Sequence, residues 1–349
     1  MSTMLDYINE EQEVLSNILN KFNGTVVQDF KEIRNILVLA TGSSYNACLA
    51  AKPAMEKIAN ISIVIEEPYN FNQYGKLSES VDAVLAVSQS GKSTSTIEAI
   101  SKLIDKDIIT VALTSNLESE LSVVDHIIDL NMGVESVGFV TKGYSATLLQ
   151  LILLSMCIGL SNGFSSKETI DYYYKELRNV IDHIPSIIER SNQFFIQHES
   201  ILKIAKRFIA IGYGPNWGTA KEFETKFSET VRQPSQGFEL EAYMHGPYLE
   251  ANNEQIIFFI DTFSNNLSRS NLLESYMKAY VGKTFIVTTE KRDDENILNL
   301  DLSCDEFISP LALVIPFQLL SYKIATSKGI DLDKRIFNDF DSVLKSKVN

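Results

Sequence analysis

The sequence predicts an α/β protein built from two tandem doubly wound subdomains, each a parallel sheet covered by helices in a flavodoxin-like three-layer sandwich. Two observations predict it. Short apolar, β-branched segments alternate with helix-length stretches along the chain, as parallel strands buried on both faces require. The order and spacing of those segments then repeat once. Gly42 matches Gly214, Ser88 matches Asp261 and Thr110 matches Thr284, at offsets of 172, 173 and 174 that grow as short loop insertions would make them grow.

Taken in order, the strand candidates of the first half open the segments NILVLATGSSYNACLAAKPAMEK at Asn35, DAVLAVSQSGKSTSTIEAI at Asp82, DIITVALTSN at Asp107 and VDHIIDL at Val124. The second half supplies RFIAIGYGPNWGTAKEFETKFSE at Arg207, QIIFFIDTFSNNLSRSNLLESY at Gln255, KTFIVTTEK at Lys283 and CDEFISP at Cys304. Residues 165–190 read as a linking helix that ends near Pro185. This gives a first subdomain with a leading helix over residues 1–164, a linker over 165–195, and a second subdomain with a tail over 196–349.

Composition narrows the function classes. With 349 residues, 45% of them hydrophobic, the chain can bury two cores. Its net charge of -14, without a basic run, argues against a nucleic-acid partner. Three distant cysteines, Cys48, Cys157 and Cys304, suggest neither a disulfide framework nor a metal site, and a reducing cytoplasm is the expected compartment. His126, His183 and His198 lack ligand spacing, so no metal is expected. The amino terminus lacks the pattern of a secretory signal. The apolar run at residues 146–160 contains Gln150 and Ser155 and is short for a bilayer, so it reads as a buried helix, with no membrane partner.

Ligands of such folds sit beyond the carboxyl ends of the strands. Two turns there are rich in glycine and hydroxyls. Ser88-Gln89-Ser90-Gly91-Lys92-Ser93-Thr94 offers hydroxyl donors, a glycine for close backbone approach and a helix start that favours an anion. Thr41-Gly42-Ser43-Ser44 would lie beside it. The competing reading is simple helix capping by serine and threonine. The Gly91-Lys92-Ser93 triplet lacks the earlier glycine of a P-loop, and Gly212-Tyr213-Gly214 lacks the third glycine of a dinucleotide fingerprint, so no nucleotide cofactor is expected.

The most specific chemistry lies in residues 221–247. Glu222, Lys226 and Glu229, spaced by four and three, share a helix face, while Phe223, Phe227 and Val231 line a neighbouring face that can pack inward. Pro234 breaks that helix, and a short connection leads to His245 in His-Gly-Pro. Taken alone, the charged face reads as a solvated ridge of weak ion pairs. Joined with His245 and the serine turns, it suggests acid–base work on a carbonyl compound.

These residues resemble the sugar isomerase (SIS) family, in particular the isomerase half of glucosamine-6-phosphate synthases and their shorter deglycase relatives. SQSGKS resembles the family's SQSGET phosphate loop, TGSS its first glycine-serine turn, and the stretch ending in Thr141-Lys142 its segment ending in Ser-Thr-Lys. The resemblance implies that Gly42, Ser43, Ser44, Ser88, Gln89, Ser90, Ser93, Thr141, Lys142 and Glu222 bind a sugar phosphate. It also implies that Glu229 moves a proton between C1 and C2 with Lys226 as partner, and that His245, contributed by the other subunit of a homodimer, assists ring opening. The family's carboxyl-terminal lysine has no clean counterpart: the alignment places Ser342 there, with Lys345 three residues on. A chain beginning Met1-Ser2 implies no glutaminase domain, hence phosphosugar chemistry without amide transfer. The chemistry of a ketosamine 6-phosphate agrees. A closed ring needs an acid and base to open it, which suits an imidazole near its ordinary pKa, and a C1–C2 hydrogen shift needs one carboxylate that reaches both carbons. A plain aldose-ketose isomerase and a non-catalytic sugar-phosphate sensor are the alternatives.

Overall fold

The computed structural model describes residues 3–348. The chain folds as two compact units, one made of residues 13–135, 142–174 and the chain from 335 onward, the other of residues 3–12, 136–141 and 175–334. The leading helix α1 (Met4–Lys21) runs from the second into the first. Residues from 335 onward, although last in sequence, belong with the first sheet.

The first unit carries β1 (Asn35–Ala40), α2 (Ser43–Ala59), β2 (Ser62–Glu66), α3 (Pro68–Tyr74), β3 (Ala83–Val87), α4 (Thr94–Ser101), β4 (Ile109–Thr114), β5 (His126–Asp129) and α5 (Lys142–Ser161). All strand pairs are parallel, in the order β2-β1-β3-β4-β5. The long helix α6 (Lys167–Ile204) leads to β6 (Arg207–Gly212), α7 (Asn216–Thr230), β7 (Ser235–Glu239), α8 (Leu240–Met244), β8 (Gln255–Asp261), α9 (Leu267–Met277), β9 (Lys283–Thr288), β10 (Ile297–Asn299) and α10 (Pro310–Ser327). The second sheet, β10-β9-β8-β6-β7, is parallel and repeats the order of the first. A short α11 (Phe340–Leu344) belongs to the first unit. The doubly wound repeat read from the sequence is therefore the observed architecture, in the flavodoxin-like strand order.

The central strands are apolar because both faces are covered. Every residue of β3 and of β8 is buried. The edge strands β2 and β7 differ, and sequence patterning misses both. In β2 the burial alternates, with Val64 53% exposed beside a buried Ile63, and β7 is largely polar. Both pair with the strand two elements before them, Ile36 opposite Ile63 and Ile209 opposite Gln236.

Two sequence expectations are corrected. The segment at Cys304 is not a strand; the last strand is β10, where only Leu298 is buried. Residues 305–309 instead wind into a turn in which the Asp305 carbonyl accepts from the N–H groups of Ile308 (3.0 Å) and Ser309 (3.1 Å). Nor does the linking helix stop near Pro185. It continues for 38 residues, because a stripe of Leu177, Ile181, Ile184, Ile187 and Phe194 is buried on both sides of the proline and outweighs the one missing hydrogen bond.

Helix α5, the one described helix with the length and apolarity of a membrane span, is largely buried inside the protein, as the sequence suggested.

Candidate functional site

In the first sheet the strand order reverses between β1 and β3, whose ends lie side by side with Ala40 opposite Val87. The two hydroxyl-rich turns leave the sheet at this point, which is where an open α/β sheet forms a crevice. Ser88 is buried; its N–H donates to the Leu113 carbonyl (3.1 Å) and its carbonyl accepts from Gly91 (3.0 Å). The Gln89 carbonyl takes the N–H (2.9 Å) and the hydroxyl (2.7 Å) of Ser115, pinning the turn to the end of β4. The Ser90 hydroxyl accepts from the Lys92 N–H (3.3 Å).

Gly91 is at φ +67°, and a Cβ there would lie 2.6 Å from the Ser119 hydroxyl, so the turn closes only around glycine. Capping does not account for the serines. Gly42, not a hydroxyl residue, precedes α2, so Ser43 and Ser44 lie in its first turn; Ser93 precedes α4 but makes no side-chain capping bond, its oxygen accepting from the Thr96 hydroxyl at 2.9 Å. Hydroxyls and two helix starts at one crevice make a cradle suited to an anion such as a phosphate. Ser115, Thr114 and Ser119, which hold the turn, were not singled out in the sequence. Their only signal is their place at and just beyond the end of the next strand.

In the second unit, α7 lies tightly on its sheet. A Cβ on Gly237 of β7 would come within 2.0 Å of the Ala220 carbonyl oxygen, and the Gly237 N–H donates to Glu224 (2.8 Å), itself bridged to Lys221 (2.6 Å). The rotation of α7 is set by Phe223 and Phe227. Both are fully buried, stacked at 4.0 Å, and Phe258 and Phe317 pack on Phe223. The inward face read from the sequence is therefore real, Val231 included.

The charged face beside it is not a solvated ridge. Glu222 and Lys226 are buried, at 0% and 1% exposed. Lys226 Nζ stands 2.6 Å from Glu229 Oε2 and 3.7 Å from Glu222 Oε1. A lysine that deep is tolerated only with close anionic partners. Glu229 differs from Glu222 in that 37% of its side chain is exposed. The group is thus a buried cation between one enclosed carboxylate and one that reaches the surface, a geometry able to move a proton beside a fixed positive charge.

Of the remaining expected residues, Thr141 and Lys142 are both buried, Thr141 in the second unit with its carbonyl accepting from Gln318 (3.2 Å), Lys142 opening α5 in the first. His245 terminates α8 and is exposed. The expected short connection before it holds β7 and α8, and no described hydrogen bond or ion pair joins its side chain to Lys226 or Glu229. Lys345 lies in the first unit, where its carbonyl accepts from the Thr94 hydroxyl (3.0 Å).

The corresponding turn of the second sheet begins differently. Where β3 is followed by Ser88, β8 ends in buried Asp261, which accepts from the Ser270 hydroxyl (2.6 Å) and faces Arg292 (3.5 Å). Burial pushes its carboxyl up to about 6 against the opposing pull of Ser270 and Arg292. Among the described residues no cluster of three or more His, Cys, Asp or Glu is placed to hold a metal.

Comparison with known proteins follows the same lines. Residues 29–159 match the SIS domain family. The chain is 28% identical over 354 aligned positions to the glutamine--fructose-6-phosphate aminotransferase [isomerizing] of Wigglesworthia glossinidia brevipalpis, covering 95% of this chain and 54% of that protein. It thus spans about half the length of the curated relatives it matches. Its fold is shared with the C-terminal domain of glucosamine-fructose-6-phosphate aminotransferase from Francisella tularensis (TM-score 0.87, 22% identity, 94% of this chain and 96% of that one). It is shared as well with glucosamine-6-phosphate deaminase from Thermotoga maritima (TM-score 0.78, 21% identity, 96% and 98%).

Proposed function

Since the chain carries a SIS domain over residues 29–159 and is homologous to isomerizing aminotransferases, we propose that it is a phosphosugar isomerase or deglycase acting on an amino-sugar or ketosamine 6-phosphate. The observation that carries this reading is the buried Lys226 held between Glu222 and the partly exposed Glu229. In the proposed reaction the cradle of Gly42, Ser43, Ser44, Ser88, Gln89, Ser90 and Ser93 takes the phosphate, with Thr141, Lys142 and Glu222 as further substrate contacts. His245, supplied by the second copy in a homodimer, assists opening of the ring. Glu229 then takes a proton from one of the carbons C1 and C2 and returns it to the other, while Lys226 stabilises the negative charge that develops on the neighbouring oxygen or nitrogen. With a ketosamine phosphate the resulting imine takes up water and releases an amine and an aldose 6-phosphate. A cytoplasmic location belongs to the same proposal.

The test is a proton NMR time course in D2O with fructose, glucosamine, fructoselysine and glucoselysine 6-phosphates. Release of free amine with deuterium entering at C1 or C2 is expected, and its loss by about a thousandfold or more in Glu229→Gln. Interconversion of the fructose and glucose phosphates without amine release would replace the deglycase reading with a plain isomerase. Full turnover by Glu229→Gln would overturn the proton-transfer role.

A further inference from the structure

The phosphate turn is not left open at its edge. The Thr94 N–H donates to the Ser346 carbonyl (3.4 Å), the Val348 N–H donates to the Lys92 carbonyl (3.0 Å), and the Thr94 hydroxyl donates to the Lys345 carbonyl (3.0 Å). The first two bonds flank an antiparallel bridge between Ser93 and Lys347. In such a pair the facing residues exchange no bond of their own, their Cα atoms are about 4.5 Å apart, and their side chains project from the same face. The register is anchored by Val348, which packs against the apolar core of Leu37, Leu39 and Ile97.

The consequence is electrostatic. The turn's own fixed positive charge is limited to Lys92, and the bridge adds Lys347 beside Ser93, whose hydroxyl lies over the first turn of α4 and accepts there from Thr96. Lys92 stands on the same rim, where the SIS phosphate-loop motif has glutamate. Lys347 is 58% exposed, and its only described ion pair is a loose 4.0 Å approach to Asp341, which already accepts from Arg335 (2.7 Å) and Ser346 (2.7 Å). Its ammonium can therefore turn to a nearby dianion without leaving Asp341 unpartnered. We infer that Lys347, delivered by strand pairing of residues 346–348 with the phosphate turn, is a binding residue of the cradle that supplies the positive charge for a phosphate dianion. This rests on the reading of the turn as a phosphate site.

The test is titration calorimetry of the full chain with fructose 6-phosphate, inorganic phosphate and unphosphorylated fructose, at low and high salt. Lys347→Ala is expected to weaken fructose 6-phosphate and inorganic phosphate by about tenfold and to flatten the salt dependence, with Lys347→Arg restoring most of the affinity. Ser88→Ala/Ser90→Ala supplies the control on the turn itself. Should that double variant lose phosphate binding while Lys347→Ala binds like the parent, the assignment of Lys347 is overturned and the cradle reading stands. Should the parent bind neither phosphate, or the double variant bind both unchanged, the cradle reading fails and the Lys347 assignment fails with it.

Discussion

Lys226 and Asp261 are ionisable side chains held away from water, and each makes a measurable claim. Removing the ammonium in Lys226→Met leaves the Glu222 and Glu229 carboxylates close together with Glu222 fully buried, an arrangement that should lower unfolding stability by about 3 kcal/mol in urea titrations near pH 7. For Asp261 the sign runs the other way from an ordinary salt-bridged acid. Its native pKa, about 6, lies above the unfolded value, so native stability is greatest below about pH 4 and falls as pH rises through about 6. Asp261→Asn should remove that slope, worth about 3 kcal/mol at most between the two ends of the window. Stability that still falls between pH 4 and 6 in the variant would assign the slope to another group.

At the scale of elements, the molecule separates two demands that the same residue types could have met in one place. The turns after β1 and β3 present hydroxyls and backbone, and the tension of closing the second is carried by Gly91 under Ser119. Gly91→Ala should cost about 1–2 kcal/mol, from the left-handed backbone and the displaced Ser119, and should weaken phosphate binding more than it lowers the melting temperature. Phosphate affinity unchanged in a folded Gly91→Ala protein would mean that the turn does not touch the ligand. Helix α7 carries the proposed acid–base residues instead, and its aromatic face, with Phe223 and Phe227 against Phe258, gives it a fixed rotation. The sequence spacing of four and three residues was enough to place Glu222, Lys226 and Glu229 on one face. It could not say that this face is buried, because a ridge of alternating charge has the same spacing whether water or protein lies over it.

At the scale of the whole molecule, the two sheets repeat one topology with different chemistry at the point where strand order reverses: Ser88 in one and Asp261 in the other. Under the proposed function, a repeat that diverges in this way gives anion binding to one half and leaves the other to present α7. The proposed homodimer extends the division of labour to a second copy, since His245 is exposed and away from any described bond to Lys226 or Glu229. Mixing Glu229→Gln and His245→Ala proteins under conditions that allow subunit exchange should regenerate one intact site in each mixed dimer, up to about a quarter of wild-type activity. Light scattering that finds a monomer at all concentrations, or no recovery on mixing, would return His245 to a role within its own chain.

The sequence by itself determined the doubly wound repeat, its central strands, the two hydroxyl-rich turns and the shared face of Glu222, Lys226 and Glu229, because each follows from local periodicity or from glycine and hydroxyl placement. Only the tertiary structure decided the rest. The edge strands β2 and β7 exist because β1 and β6 have an open side to pair, not because their own residues demand it. Helix α6 passes Pro185 because its buried stripe continues beyond it. The segment at residues 346–348 joins the first unit although about 250 residues separate it from the turn it pairs with, because the edge of the serine turn after β3 takes up its backbone bonds and the core under α4 takes up Val348. Those outcomes are set by long-range pairing and burial, which no window of neighbouring residues contains.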